Sequence, residues 1–373
     1  MQRRDFFKFT AAASLLAGQP LRAASEARGV LIAAAWRGPL PSDPYFAGVL
    51  AADWESRKIT IRHAVQLPTR PHGLLPATDG SLLVVGVRPA TWMMRIDADG
   101  QRLQQVNESG DLRFNGHAIV SPAGDLVYTT ETDFASGRGR IGVRDAKTLQ
   151  RLETWDSHGI EPHQLLVDRQ GALMIANGGI PRTLADKKFD LQRMESSLVR
   201  LDGRSGKLLR RWQVADPRLS LRHLAWSYLP GDDEPLLGIA MQAEHDAAAQ
   251  RQTAPVLAVL DGDALLLPTG GNVAGAGYAG DIAAASGGGF ALSNNQTGKA
   301  SLWRPSDPEK LLPIVEMQEA YALADWAGPQ PGGGVLVATA PGLIRWHPAA
   351  KPLFLPWPQA MALDNHWAVI REI

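Results

Sequence analysis

The segment "GHAIVSPAGDLVYTTE" (116–131) holds a histidine, a short apolar run, a turn ending in Gly-Asp and a second apolar run. The same order returns in "PHGLLPATDGSLLVVGV" (71–87) and "PHQLLVDRQGALMIANG" (162–178). Weaker copies are "RHLAWSYLPGDDEPLLGIAMQ" (222–242), "GDIAAASGGGFALSNNQ" (280–296) and "ADWAGPQPGGGVLVATA" (324–340). A third run then closes on Asp at a tight turn, as in "MMRIDADG", "IGVRDAKT", "LVRLDGRSG" and "LAVLDGDA". A fourth leads to the next copy: "RLQQVN", "LQRLETW", "LLRRWQV", "ALLLPTG". Four short strands every 45 residues or so is the spacing of a β-propeller blade.

The period is counted at one position. From His72 to His117 is 45 residues, to His163 a further 46, and to His223 a further 60. Asp281 follows after 58, Asp325 after 44 and His366 after 41. The two long steps contain polar insertions, "IPRTLADKKFDLQRMESS" (180–197) and "AEHDAAAQRQTA" (243–254), between second and third strands. Six blades end near Trp357, leaving the strand in "MALDNHWAVI" unpaired. "GVLIAAAWR", "FAGVLAADW" and "KITIRHAVQL" supply three strands near the N-terminus, so the last strand completes a seventh blade and removes the exposed edge. The expected fold is all-β, a single seven-bladed propeller domain over residues 28–373.

Residues 1–27 read as a twin-arginine export signal: Arg3-Arg4, an apolar run from Phe9 to Gly18, then small residues. A soluble periplasmic protein is expected, since no segment has the length of a permanent membrane span. There is no cysteine, which excludes disulfides, thiolate metal sites and c-type haem attachment. Formal net charge is zero and no basic tract stands out, which argues against nucleic acid. The 37 glycines and 26 prolines suit a turn-rich β protein. No nucleotide fingerprint, G-x-S-x-G or H-E-x-x-H is present, and "GRGRIG" (137–142) reads as a turn before a strand.

The first strand of a blade lines the central channel. His72, His117, His163, His223, Asp281, Asp325 and His366 should therefore share one height around the axis. Five of the nine histidines fall at this position, and both exceptions are Asp. Three readings follow. Each residue satisfies a nearby backbone group, as in the Gly-His of WD-repeat blades; or the channel is polar and filled with water; or the ring holds a metal. Imidazole suits iron, copper, zinc and nickel, and carboxylate shifts preference to harder ions. Seven ligands cannot all reach one ion, so a subset binds it with the rest behind, or more than one ion is held. The layout is similar to the histidine-ringed propeller of nitrous oxide reductase, as an analogy.

Loops between second and third strands place Arg37, Arg88, Glu131, Asp133, Asn177, Glu244, His245, Asn294 and Asn295 on one rim, a polar mouth that the insertions could cover. Arg70 and Arg222, just before their histidines, could hold an anion, and His158 and Glu161 stand just before His163. His63 and His347 read as outer-strand residues, and Trp326 and Trp367 as packing.

Together the twin-arginine start, "RPHGLL", "NGHAIVSP", "EPHQLL", "RHLA" and "DNHWAVI" resemble the bacterial domain of unknown function 1513 family over most of the chain. That resemblance implies an exported propeller whose genes lie beside imelysin-type and di-haem peroxidase-like proteins in iron-responsive clusters. It supplies no catalytic residues. It implies periplasmic iron acquisition and imelysin-like partners and shifts the expected metal of the ring to iron, with copper second and zinc third. Alternatives are a redox or lyase enzyme using the same centre, and a metal-free interaction scaffold.

Overall fold

Leu82 and Val84 face one neighbouring sheet while Leu83 and Val85, on the same strand, face the other. Side chains alternate across a strand, so a strand sandwiched between two sheets is apolar on both faces. This is why the second strands read as unbroken apolar runs. In the computed structural model, which describes residues 28–229, 231–268, 275–326 and 333–373, seven four-stranded antiparallel sheets result. Their inner strands touch in succession and close a circle, the last against the first.

The inner strands of the first six blades are Pro71–Pro76, Leu112–Val120, Pro162–Val167, Leu219–Ser227, Asp281–Ala285 and Leu323–Trp326. The seventh inner strand is Ala362–Glu372, paired with Gly29–Arg37, which continues to Tyr45–Asp53 and Lys58–Gln66. The ring is thus a seven-bladed propeller closed by the C-terminal strand, as expected. The two insertions also fall where expected, after Leu173–Asn177 and after Leu236–Ala243, and carry short helical pieces at Leu191–Arg193 and Ala248–Thr253.

The core is divided among the seams between blades. Seven apolar clusters fill seven seams. The largest joins the sixth and seventh blades through Trp36, Trp54, Trp326, Trp357 and Trp367. It therefore sits where the ring closes, and each fully buried large apolar side chain there contributes about 1.5–3 kcal/mol. Trp326 and Trp367 are packing residues, as expected.

No helix among the described residues is long and apolar enough to cross a membrane. The export signal expected at 1–27 lies outside the described residues.

Candidate metal centre

Each of the five ring histidines sits at a break in strand pairing. In the first blade the ladder passes from Pro71 opposite Gly86 to Leu74 opposite Val84, and His72 lies in the bulge between. Similar breaks enclose His117 (Phe114 to Ala118), His163 (Pro162 to Leu165) and His223 (Leu221 to Leu224). His366 lies between Leu363 and Trp367, which oppose Trp36 and Ala34. A bulge bends its strand and re-aims a side chain. Neighbouring blades hold the bulged backbone: Asn115 Nδ2 donates to Pro162 O at 2.8 Å, and Gln164 Oε1 accepts from Leu224 N at 2.5 Å. At Gly116, φ is +112° and a Cβ would stand 2.5 Å from Cδ2 of His72. Only glycine leaves that ring its place.

The five rings converge. Among the neighbouring ring pairs, centroid separations run from 4.4 Å for His223–His366 to 6.1 Å for His72–His223, and all five residues are buried. Two groups have donor atoms within 4.8 Å of one another: His72, His117, His163 and His223, and His223, Asp281 and His366. His223 belongs to both. Asp281 accepts from the amides of Ile282 and Leu323 at 3.0 and 2.8 Å, and its Oδ1 is 3.4 Å from His366 Nδ1.

Burial, then the neighbouring imidazoles and arginines, hold His72, His117, His163 and His223 well below the usual histidine range. The rings are therefore neutral, the form that binds metals. Their hydrogen bonding is incomplete. Both nitrogens of His72, Nε2 of His117, Nδ1 of His223 and Nε2 of His366 are buried without a partner. Unpaired buried polar atoms are costly and rare. So many at one point fit an ion that takes up their lone pairs. The residues present suit a metal with imidazole preference, with one carboxylate beside it.

His163 differs from the others. Its Nδ1 is 3.2 Å from Arg88 Nη1, and its Nε2 is 2.8 Å from Nε2 of His223. A guanidinium can only donate, so Nδ1 accepts, and the proton of the neutral ring sits on Nε2 and points to His223. Arg88, Arg182 and Arg222 surround Glu161, at 3.3, 2.7 and 2.8 Å from Oε1. Burial pushes the Glu161 carboxyl up, but Arg222, Arg88 and Arg182 more than reverse this and hold it at about 2. Burial, then Arg222, brings Arg88 down to about 10.

Other expected residues are placed differently. Asp325 is exposed and belongs to neither donor group. Its strand pairs in unbroken register, Leu323 to Trp326 against Val337 to Gly334, so no bulge turns it towards the histidines. Glu131 lines no mouth. It is fully buried between blades, 2.8 Å from Arg144 Nη2 and 2.7 Å from Arg151 Nη1. Asn177 is also buried, donating to Ser157 O and Ser197 Oγ. Arg70 makes a two-pronged pair with Asp364, and Arg222 is taken up by Glu161, so neither offers a free anion site. Asp133 and Asn294 cap their own turns through the amides of Ala135 and Gln296. Glu244 pairs with Lys188 and His245 with Asp216. Arg182 and Asp186 carry no signal in the sequence, since an insertion breaks the repeat that would flag them.

A family model described as "Protein of unknown function (DUF1513)" matches residues 65–370. No curated protein matches. Among solved structures, hydrazine synthase of Kuenenia stuttgartiensis is similar with a TM-score of 0.57 and 13% identity, over 83% of this chain and 93% of that one. Virginiamycin B lyase from Staphylococcus aureus is similar with a TM-score of 0.52 and 12% identity, over 78% and 85%. A streptogramin B lyase gives 0.53 and 11%, over 84% and 91%. At such identities the likeness concerns the fold alone.

Proposed function

Because this chain belongs to the DUF1513 family and gathers histidines on a propeller axis, we propose that it is a periplasmic metal-handling protein of iron acquisition. The supporting observation is the set of buried imidazoles with unpartnered ring nitrogens at one point. His72, His117 and His366 are the principal ligands in this reading, and His223 offers its Nε2 only in place of the hydrogen bond to His163. Asp281 orients His366, as carboxylates orient metal-bound histidines generally. Iron is the first choice of ion, copper the second and zinc the third. The holder would pass its metal to a periplasmic partner such as an imelysin-like protein.

The test is elemental analysis of protein purified from the periplasm without an affinity tag or chelator, followed by titration with iron, copper and zinc. About one or more equivalents of iron, lost in a His72→Ala, His366→Ala variant that stays folded, is the expected result. Protein that is metal-free and takes up none of the three ions overturns the reading and leaves an interaction scaffold.

An enzymatic use of the same centre is the second reading, favoured by a pocket lined by Arg88, whose Nη1 stands 3.2 Å from Nδ1 of His163. Catalysis needs an open ligand position. Azide or cyanide would then change the spectrum of the loaded protein, whereas a closed carrier site would not respond.

A further inference from the structure

Within the histidine cluster, His163 stands apart by its hydrogen bonds. His72, His117, His223 and His366 each keep at least one buried ring nitrogen without a partner, whereas both nitrogens of His163 are engaged. Nδ1 lies 3.2 Å from Arg88 Nη1, and Nε2 lies 2.8 Å from Nε2 of His223.

The protons of the two rings follow from Arg88. A guanidinium has no lone pair, so Nδ1 of His163 accepts and the single proton of its neutral ring is on Nε2. That N–H is donated to Nε2 of His223, whose own proton is therefore on Nδ1, the buried nitrogen that lacks a partner. A metal needs the lone pair of an unprotonated ring nitrogen. His163 has none to offer, because its Nδ1 pair is used by Arg88. The pair on His223 Nε2 is covered by the His163 N–H. Two of the five imidazoles are thus withheld from an ion while this contact stands.

The contact is held from several sides. Moving the His163 proton to Nδ1 would set N–H donors face to face with Arg88. Nε of Arg88 is fixed in turn by Glu161 and Asp186, at 3.3 and 3.4 Å. Asn115 Nδ2 donates to Pro162 O at 2.8 Å and Thr130 Oγ1 to His163 O at 2.9 Å, which fixes the backbone of the ring. His163 and His223 are each 3% exposed, so an N–H that loses its acceptor there has no bulk water to turn to.

Building on the metal-handling reading above, we propose that His163 is a competitor for the ion and not a ligand. Its Nε2–H occupies the lone pair of His223, and Arg88 keeps it in that role. An ion that takes His223 breaks the hydrogen bond and leaves the His163 N–H buried and unpaired, which lowers affinity roughly tenfold or more. A carrier gains by this arrangement, since the same hydrogen bond re-forms as the ion is handed on.

Competition titration of the full chain against a chromogenic chelator, with Fe(II) in the absence of air and with Zn(II), tests this in the wild type, His163→Leu and Arg88→Met. His163→Leu removes the competing N–H and should tighten binding at least about fivefold. Arg88→Met lets the proton move to Nδ1 and uncovers the Nε2 pair, so it should tighten binding too; it decides the matter if His163→Leu fails to fold. Loss of a ligand would instead weaken binding, and loss of mere packing would not strengthen it. Unchanged or weaker binding in a folded variant therefore overturns this inference alone. Wild-type protein that takes up neither ion overturns the metal-handling reading and this inference with it. Nitrogen NMR of the metal-free wild type, with isotope-labelled histidine, reads the tautomers without any ion. His163 protonated on Nε2 and His223 on Nδ1 are expected, and a His163 proton on Nδ1 would overturn the proposal.

Discussion

Nδ1 of His366 stands 3.4 Å from Oδ1 of Asp281, so the strand that closes the propeller meets, at the axis, a strand two blades away. The pairing leaves Nε2 of His366 buried and free to bind an ion. Asp281→Asn should lower metal affinity by about 10–100-fold while leaving the fold intact, because the amide oxygen still accepts a backbone N–H. Competition titration against a chromogenic chelator measures this. Unchanged affinity would remove Asp281 from the centre.

Gly116→Ala combines a strained φ with a methyl group on the His72 ring. A loss of about 1–3 kcal/mol in chemical denaturation is expected, together with weakened metal binding. Full stability with full binding would show that the His72 ring has room to move.

Acid should destabilise the metal-free protein early. His72, His117, His163 and His223 have folded values well below the ordinary 6.5. Below 6.5 the unfolded chain takes up protons that the folded chain refuses. Stability is therefore fullest above that pH and declines as pH falls from it towards the folded values, by about 1.4 kcal/mol per pH unit for each such proton. Glu161 acts in the same direction lower down, its contribution being lost as pH falls from 4.5 towards about 2. Thermal denaturation in EDTA between pH 7.5 and 5, with ranges chosen to bracket the histidine value, gives the slope. A flat profile would mean the rings are not buried neutral.

Glu131→Ala leaves Arg144, which is 1% exposed, with Glu108 as its remaining carboxylate. Breaking a buried pair in this way costs about 3–5 kcal/mol. Metal binding should be unchanged in the protein that remains folded. Reduced metal affinity at full stability would return Glu131 to the centre.

The blade count, the insertions and the closing strand were all legible in the sequence, because each rests on spacing and on alternation. Six of the seven aligned ring positions come together at the axis. Asp325 fails because equal spacing gives equal place along the chain but not equal local register. A histidine in a bulge and an aspartate in a regular strand look alike in an aligned repeat. The same limit misplaced Glu131, which follows its blade's pattern but points into a seam. The clustering of Arg88, Arg182 and Arg222 around Glu161 was out of reach because the three arginines come from three different segments, and Glu161 from a fourth, with no periodic relation among them.

Closure has a consequence for the order of assembly. Strand Ala362–Glu372 is both the latch of the ring and the carrier of His366. It is synthesised after the other strands of the ring, so a chain stopped before residue 366 lacks the latch and a donor together. A truncated or half-docked product thus cannot present the complete donor set, which exists only once the whole circle has shut.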